Sequence, residues 1–194
     1  MTLERQRVGD NTSEITERQL LEAVKNGDRR AMRSLYDRYA GYAMATATRY
    51  VADHDDVCDV VQDSFIKIFT TIGRFGYRGE GSLKAWINRI VANQAIDLLK
   101  SRQRVTFVSD VPDNSFDDSP DVERVPPDVL TRLIAQLPTG YRLVLNLFVF
   151  EQLSHKEIGR QLGIGENTSA SQYNRAKNKL AMMIKNYLKQ QERR

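Results

Sequence analysis

One stretch of this chain constrains its fold more than any other. Residues 105–127 (VTFVSDVPDNSFDDSPDVERVPP) hold four of the five prolines, and six acids against a lone Arg124. Proline lacks the backbone N–H and drives the residue before it out of the helical region. No apolar period survives across the stretch. A chain of 194 residues interrupted in this way is built as two small bodies, each with its own core. The stretch reads as a flexible acidic linker. Fully extended, it reaches roughly 75–80 Å; as a flexible coil its span is about 25–30 Å.

Both flanks read as helices. Residues 1–16 are polar and form a loose tail up to a short helix at about 17–26. Asp28 can cap a helix at 29–51, with Met32, Leu35, Tyr39, Tyr42 and Ala43 at helical spacing. Val57, Val60, Val61, Phe65, Ile68, Phe69 and Ile72 then form one wide apolar stripe that Gly73 closes. After the loop 74–81, Ser82 can cap a helix to about Arg104, with Leu83, Trp86, Ile87, Ile90, Val91 and Leu98 inside. Past Pro127, Asp128 can cap a helix to Leu137, and three more helices follow. No β-rich segment is convincing. The fold class is all-α: two helical domains, 17–104 and 128–190, with a short tail at 191–194.

The net charge of +4 says little, but its distribution says more. Residues 74–104 carry seven Lys/Arg against two acids, and 128–194 carry eleven against five. Two basic blocks around an acidic stretch outline a protein that touches phosphate twice, or two solvated helical surfaces. Cys58 is the only cysteine, so neither an intrachain disulfide nor a Cys-based zinc site is expected. With no signal-peptide run and no apolar segment of membrane length, a cytoplasmic protein without membrane insertion is expected.

Residues 154–180 (SHKEIGRQLGIGENTSASQYNRAKNKL) read as a helix-turn-helix. Ser154 and Glu157 fit a capping box. Ile158 and Leu162 face inward, Gly163 supplies a left-handed C-cap, and Ile164 plugs the turn. On the second helix Ser169, Tyr173, Ala176 and Leu180 share one face. The opposite face carries Ser171, Asn174, Arg175 and Asn178, with Gln172 beside it. Such side chains read base edges and hold phosphates when the helix enters a major groove. A non-binding helical hairpin is the alternative.

The loop Arg74-Phe75-Gly76-Tyr77-Arg78-Gly79-Glu80-Gly81 interleaves aromatics, cations and glycines, and Lys84 follows. That mixture suits unstacked single-stranded bases; a connector whose aromatics pack into the core is the other reading. Asp53, Asp55, Asp56, Asp59 and Asp63 lie before and along the strongest helix. They lack the Gly and Glu of a calcium loop, and read as an exposed acidic edge that docks a basic partner. His54 and His155 belong to different modules, and no nucleophile motif or phosphate-binding Gly/Lys loop is present. The chain is expected to be neither an enzyme nor a holder of cofactor or metal.

At this point the chain resembles the extracytoplasmic-function (ECF) sigma factors of the sigma-70 family. Asp59-Val60-Val61-Gln62-Asp63-Ser64-Phe65 resembles region 2.2. Phe75 through Arg104, including Gly79-Glu80-Gly81-Ser82-Leu83-Lys84-Ala85-Trp86 and Arg89-Ile90-Val91-Ala92-Asn93, resembles regions 2.3 and 2.4. Leu137-Pro138, Leu153-Ser154-His155-Lys156-Glu157-Ile158-Gly159 and the helix after it resemble region 4. The resemblance implies a promoter-specificity subunit of RNA polymerase. Asp59, Gln62, Asp63 and Lys67 would dock the β′ coiled coil of core polymerase, and the second module would touch the β flap. Phe75, Tyr77, Arg78, Gly79, Glu80 and Lys84 would capture a flipped base of the −10 element. Arg89, Asn93, Lys100, Arg102 and Arg104 would follow the adjacent promoter DNA. Thr168, Ser171, Gln172, Asn174, Arg175 and Asn178 would contact the −35 element. An anti-sigma factor is a partner the resemblance suggests. The run Thr168-Ser169-Ala170-Ser171 departs from the family's Thr-Val-Lys/Arg-Ser, so Ser169 is expected to weaken packing and Ala170 to lose a contact.

Two rivals remain. An autonomous helix-turn-helix regulator explains 128–194 but leaves the acidic helix and the loop idle. A nuclease with carboxylates 53–63 on a metal lacks ligands from any other segment.

Overall fold

Half of the α-helices described begin at a polar side chain that satisfies the first free amides. The computed structural model describes residues 15–102, 105, 107 and 120–192. Thr16 opens α1 (Glu17–Lys25) in a reciprocal capping box with Gln19. Asp28 opens α2 (Arg29–Tyr50), accepting from the amides of Arg30 at 2.7 Å and Ala31 at 3.2 Å. Asp53 does the same for α3 (His54–Thr71). A 3-10 turn at Ile72–Arg74 leads through the aromatic loop into α4 (Ser82–Ser101). The second half holds α5 (Pro127–Ala135), α6 (Thr139–Val149), α7 (His155–Leu162) and α8 (Glu166–Glu192). No strand occurs among the described residues, so the all-α class stands.

Two expected caps fall elsewhere. Ser82 is the first helical residue of α4, and Gly81 holds the cap position at φ +83° with no side-chain bond of its own. Pro126 and Pro127 start α5, which puts Asp128 inside the first turn, where an acid suits the helix dipole. Helix α4 ends at Ser101 rather than at Arg104, which lies outside the described residues.

Helices α2, α3 and α4 pack on one another, and α1 lies across α2. Leu35, Tyr50, Ile68, Leu83, Ile87 and Ile96 are wholly buried there. Each aliphatic among them gains about 1.5–3 kcal/mol from leaving water. In the second module α8 is the spine, against which α5, α6 and α7 pack. Ile134, Leu137, Leu145 and Ala176 form its own cluster. Arg142, counted in the sequence as part of a basic block, is buried, and its guanidinium donates to the carbonyls of Ala135 and Leu137 at the end of α5.

The modules also meet. Helices α5 and α6 lie against α2, and Leu143, Val144, Leu147, Ile158 and Leu162 join the same apolar cluster as the first module. Asn146 donates to the carbonyl of Arg49 at 2.8 Å, and the Arg49 guanidinium sits 4.3 Å from the Phe150 ring. At the start of the acidic stretch, Val105 and Phe107 are half-buried against this cluster. At its end a 3-10 turn, Val122–Arg124, precedes the buried Val125. Residues 108–119 lie outside the described residues.

Candidate nucleic-acid interface

The helix-turn-helix is built as its sequence requires. Ser154 accepts the Glu157 amide, and the Glu157 carboxylate accepts the Ser154 amide at 2.8 Å. These bonds hold the Glu157 carboxyl below the usual carboxylate range. Gly163 closes α7 in the left-handed region at φ +75°. Gly159 is required for a different reason: a Cβ there would meet the Ile164 carbonyl at 2.7 Å, so only glycine lets the turn fold back onto α7. The angle between α7 and α8 is then fixed by a ring cluster. His155 stacks on Phe148 at 4.6 Å, and Tyr173 sits 4.4 Å from Phe148.

This cluster corrects one expectation. Ser169 is fully buried, but His155 Nδ1 lies 3.0 Å from its Oγ. The hydroxyl that replaces an apolar group is therefore paired, and the expected loss of packing is offset. A second correction concerns Gln172. It shows no exposed surface and faces the module interior, so it cannot present its amide to a groove. Ser171 and Asn174 are exposed on α8, and Thr168, Arg175 and Asn178 are half-exposed.

The loop before α4 forms a concave site. Phe75 is half-buried with its ring 4.9 Å from Trp86, and Tyr77 is half-buried with its hydroxyl 3.4 Å from Glu80. Both loop aromatics thus rest on the first module's core, as the connector reading has it, while leaving part of each ring exposed. Phe75, Gly76, Arg78, Ser82, Trp86 and Arg89 line a cavity of about 420 Å³. Arg78 and Arg89 are exposed at its edge. Lys84, also exposed, places its ammonium 4.0 Å from the Tyr42 ring. An aromatic wall with guanidinium groups around it can stack a planar base and hold its phosphate.

Helix α4 continues the same face, but the second module lies on it. Gln161 donates to Asn93 at 2.8 Å, Lys100 donates to the Gln161 carbonyl at 2.7 Å, and Asn88 donates to Glu151 at 2.8 Å. Burial raises the Glu151 carboxyl above its usual value, against the pull of Arg49 and Arg89. Arg102 forms an ion pair with the buried Asp56 at the start of α3. Its charge serves the fold of the first module before it serves any ligand.

The acidic edge is smaller than its sequence suggests. Asp53 caps α3 and Asp56 is buried against Arg102, which leaves Asp55, Asp59 and Asp63 exposed, with Gln62 beside the last. Lys67 is exposed one turn on, and its ammonium lies 3.4 Å from Gln94. No cluster of three or more metal-ligating side chains occurs among the described residues. Beside this edge runs an apolar groove of about 480 Å³ lined by Tyr36, Cys58, Val61, Gln62, Phe65 and Ile66. Ile66 is 58% exposed. The sequence reading missed it, although its signal was present: an isoleucine one residue after Phe65 falls off the apolar stripe and onto the polar face.

Comparison with known proteins follows the same two-part division. Residues 35–105 match the family described as Sigma-70 region 2, and residues 128–180 match Sigma-70, region 4. The RNA polymerase sigma-H factor of Pseudomonas aeruginosa is 31% identical over 175 residues, covering 83% of this chain and 90% of that protein. The ECF RNA polymerase sigma-E factor of Haemophilus influenzae is 31% identical over 183 residues, covering 84% and 93%. The solved structure of CnrH in complex with the cytosolic domain of CnrY is 26% identical with a TM-score of 0.46, covering 87% of this chain and 96% of that one. No helix among the described residues is long and apolar enough to cross a membrane.

Proposed function

The chain belongs to the sigma-70 family, in its ECF class of transcription-initiation factors, and on that footing we propose that it grips a promoter at two places. The loop 75–81 and the exposed edge of α4 take the −10 element. Thr168, Ser171, Asn174, Arg175 and Asn178 on α8 take the −35 element. Asp59, Gln62, Asp63 and Lys67, with the neighbouring groove, dock the polymerase β′ coiled coil, and the second module reaches the β flap.

The observation that carries this reading is the cavity between Phe75, Trp86 and the arginines. Flipping a base out of duplex DNA costs a few kcal/mol. Stacking it on an aromatic wall returns about 1–3 kcal/mol. Melting would then need neither a catalytic residue nor a nucleotide cofactor. The reading also demands a movement. Asn93 and Lys100 cannot serve promoter DNA while they bond Gln161, so the modules part when α4 engages the −10 element.

Mixing the protein with core polymerase and scoring promoter-dependent initiation tests the whole proposal. A large gain in specific transcripts is expected. Tight promoter binding by the free protein with no such gain would favour an autonomous regulator instead.

A further inference from the structure

Helix α4 starts without a cap of its own. Gly81 has no side chain to offer, and its left-handed backbone is not the extended geometry in which Ser, Thr, Asp or Asn cap a helix. Ser82 faces the other way: its hydroxyl donates to the Gly79 carbonyl and accepts the Arg78 amide at 3.2 Å. The free amides are met from α1 instead. Glu17 is 2% exposed, and its Oε2 accepts from the Gly81 amide at 3.2 Å while Oε1 accepts from the Leu83 amide at 3.1 Å. The Tyr39 hydroxyl donates to Oε2 at 3.1 Å, which fixes the carboxylate's orientation. Burial and the Glu17 carboxylate together push the Tyr39 phenol up to about 12, so it remains a donor at neutral pH.

We propose that Glu17 is a positioning residue for promoter opening: its carboxylate caps α4 from another helix and sets the loop 75–81 against the aromatic cavity. The inference rests on the base-capture reading of that loop. Three observations link the cap to the cavity. Ser82 lines the cavity and lies between the two amides that Glu17 holds. The hydroxyl of the same serine sets the Arg78 and Gly79 backbone. Arg38 donates to the Ile15 carbonyl at 3.1 Å and approaches Glu80 at 4.0 Å, so the start of α1 and the end of the loop are tied a second time. A buried anion at a helix N-terminus also meets the positive end of the helix dipole. Both carboxylate oxygens are in use. Glutamine, with one oxygen and one NH2 group, would turn a donor toward a donor.

The test uses full-length protein in holoenzyme. Glu17→Gln is expected to lower binding of a single-stranded −10 oligonucleotide and open-complex formation by about tenfold, with affinity for core polymerase unchanged. The amides of Gly81 and Leu83 should exchange faster with solvent while that of Ile87 does not. Glu17→Asp keeps the charge and should recover part of the loss, and it guards against a glutamine variant that fails to fold. Arg78→Ala separates this inference from its premise. Loss in both variants supports the role of Glu17. Loss in Arg78→Ala alone overturns that role and leaves base capture standing, while no loss in Arg78→Ala overturns base capture and the inference with it. Parallel loss of core affinity and −10 binding in Glu17→Gln would make the residue merely structural, and overturns the proposal too.

Discussion

Replacing Glu151 by alanine tests whether the packed modules compete with DNA for α4. In the packed form the Glu151 carboxylate accepts from Asn88 at 2.8 Å, on the face of α4 that also carries Arg89 and Asn93. A hydrogen bond to a charged group contributes about 1.5–3 kcal/mol. Glu151 is only partly buried, so the lower end, about 1.5 kcal/mol, is the appropriate figure. Burial of the carboxylate opposes that gain, so loss of the bond moves the packed–parted equilibrium by no more than about tenfold. If the packed form dominates in the free protein, the apparent affinity for a −10 oligonucleotide rises by up to the same factor, because only the parted fraction binds. Removing any acid also lessens repulsion of DNA, so Glu22→Ala, on the exposed face of α1, is the control of equal charge. Fluorescence anisotropy of a labelled oligonucleotide near 0.15 M salt reads both variants. If docking on core polymerase also parts the modules, holoenzyme should show no gain from Glu151→Ala. A gain in free protein no larger than that of Glu22→Ala, or a fall, would refute the competition.

Three further outcomes follow from the same geometry. Arg175→Ala should weaken −35 duplex binding and lower the salt slope by about one phosphate's share; an unchanged slope in a titration across salt removes the phosphate role. Asp63→Arg should cut affinity for core polymerase by about tenfold while circular dichroism stays unaltered, since the side chain is exposed. The contact between modules should also depend on pH. Glu151's carboxyl is raised in the packed form, chiefly by burial and against Arg49 and Arg89, so packing favours its protonated state. That contribution is complete below the ordinary value of 4.5 and is lost as pH rises through the raised value. Residues 1–107 and 120–194, made as separate chains, should therefore associate more tightly at pH 5 than at pH 7. Glu151→Gln should flatten the difference, as read by analytical ultracentrifugation.

Much of the fold was legible because it depends on near neighbours. Asp28 and the Ser154–Glu157 box cap helices two or three residues away. The stripe from Val57 to Ile72 buries the face its spacing implies. What escaped the sequence reading depends on distant partners. Glu17 looks like an ordinary acid in a first helical turn, and nothing local connects it to amides 64 and 66 residues away. Gln172 belongs by composition with Ser171 and Asn174, yet its position on α8 turns it inward. The packing of the modules did leave a trace. Leu143, Val144, Leu145 and Leu147 are buried on successive sides of α6, and a helix apolar all round needs two covers. Helix α8 supplies one and α2 the other.

The polar edge of α4 could not have been resolved from its residues alone, for a reason that bears on function. Asn93 and Lys100 suit DNA because an amide pairs with base edges and an ammonium with phosphate. In the packed form the same groups meet the Gln161 side chain and backbone carbonyl. A glutamine amide matches the donors and acceptors of a base edge, and a carbonyl oxygen is an acceptor where a phosphate oxygen would be. A row of amides and cations therefore specifies hydrogen-bonding chemistry and leaves the partner open. When one face has two partners of like chemistry, the two exclude each other, and the difference between them lies in the amount of negative charge each brings. Promoter DNA carries many phosphates, whereas the second module brings the carboxylates of Glu151 and Glu157 to this face. Rising salt should therefore weaken DNA binding at α4 far more steeply than module packing, and the measured affinity of free protein should fall faster with salt than that of holoenzyme-free α4 variants lacking Lys100. A Lys100→Ala protein with an undiminished salt slope would show that this edge never meets phosphate.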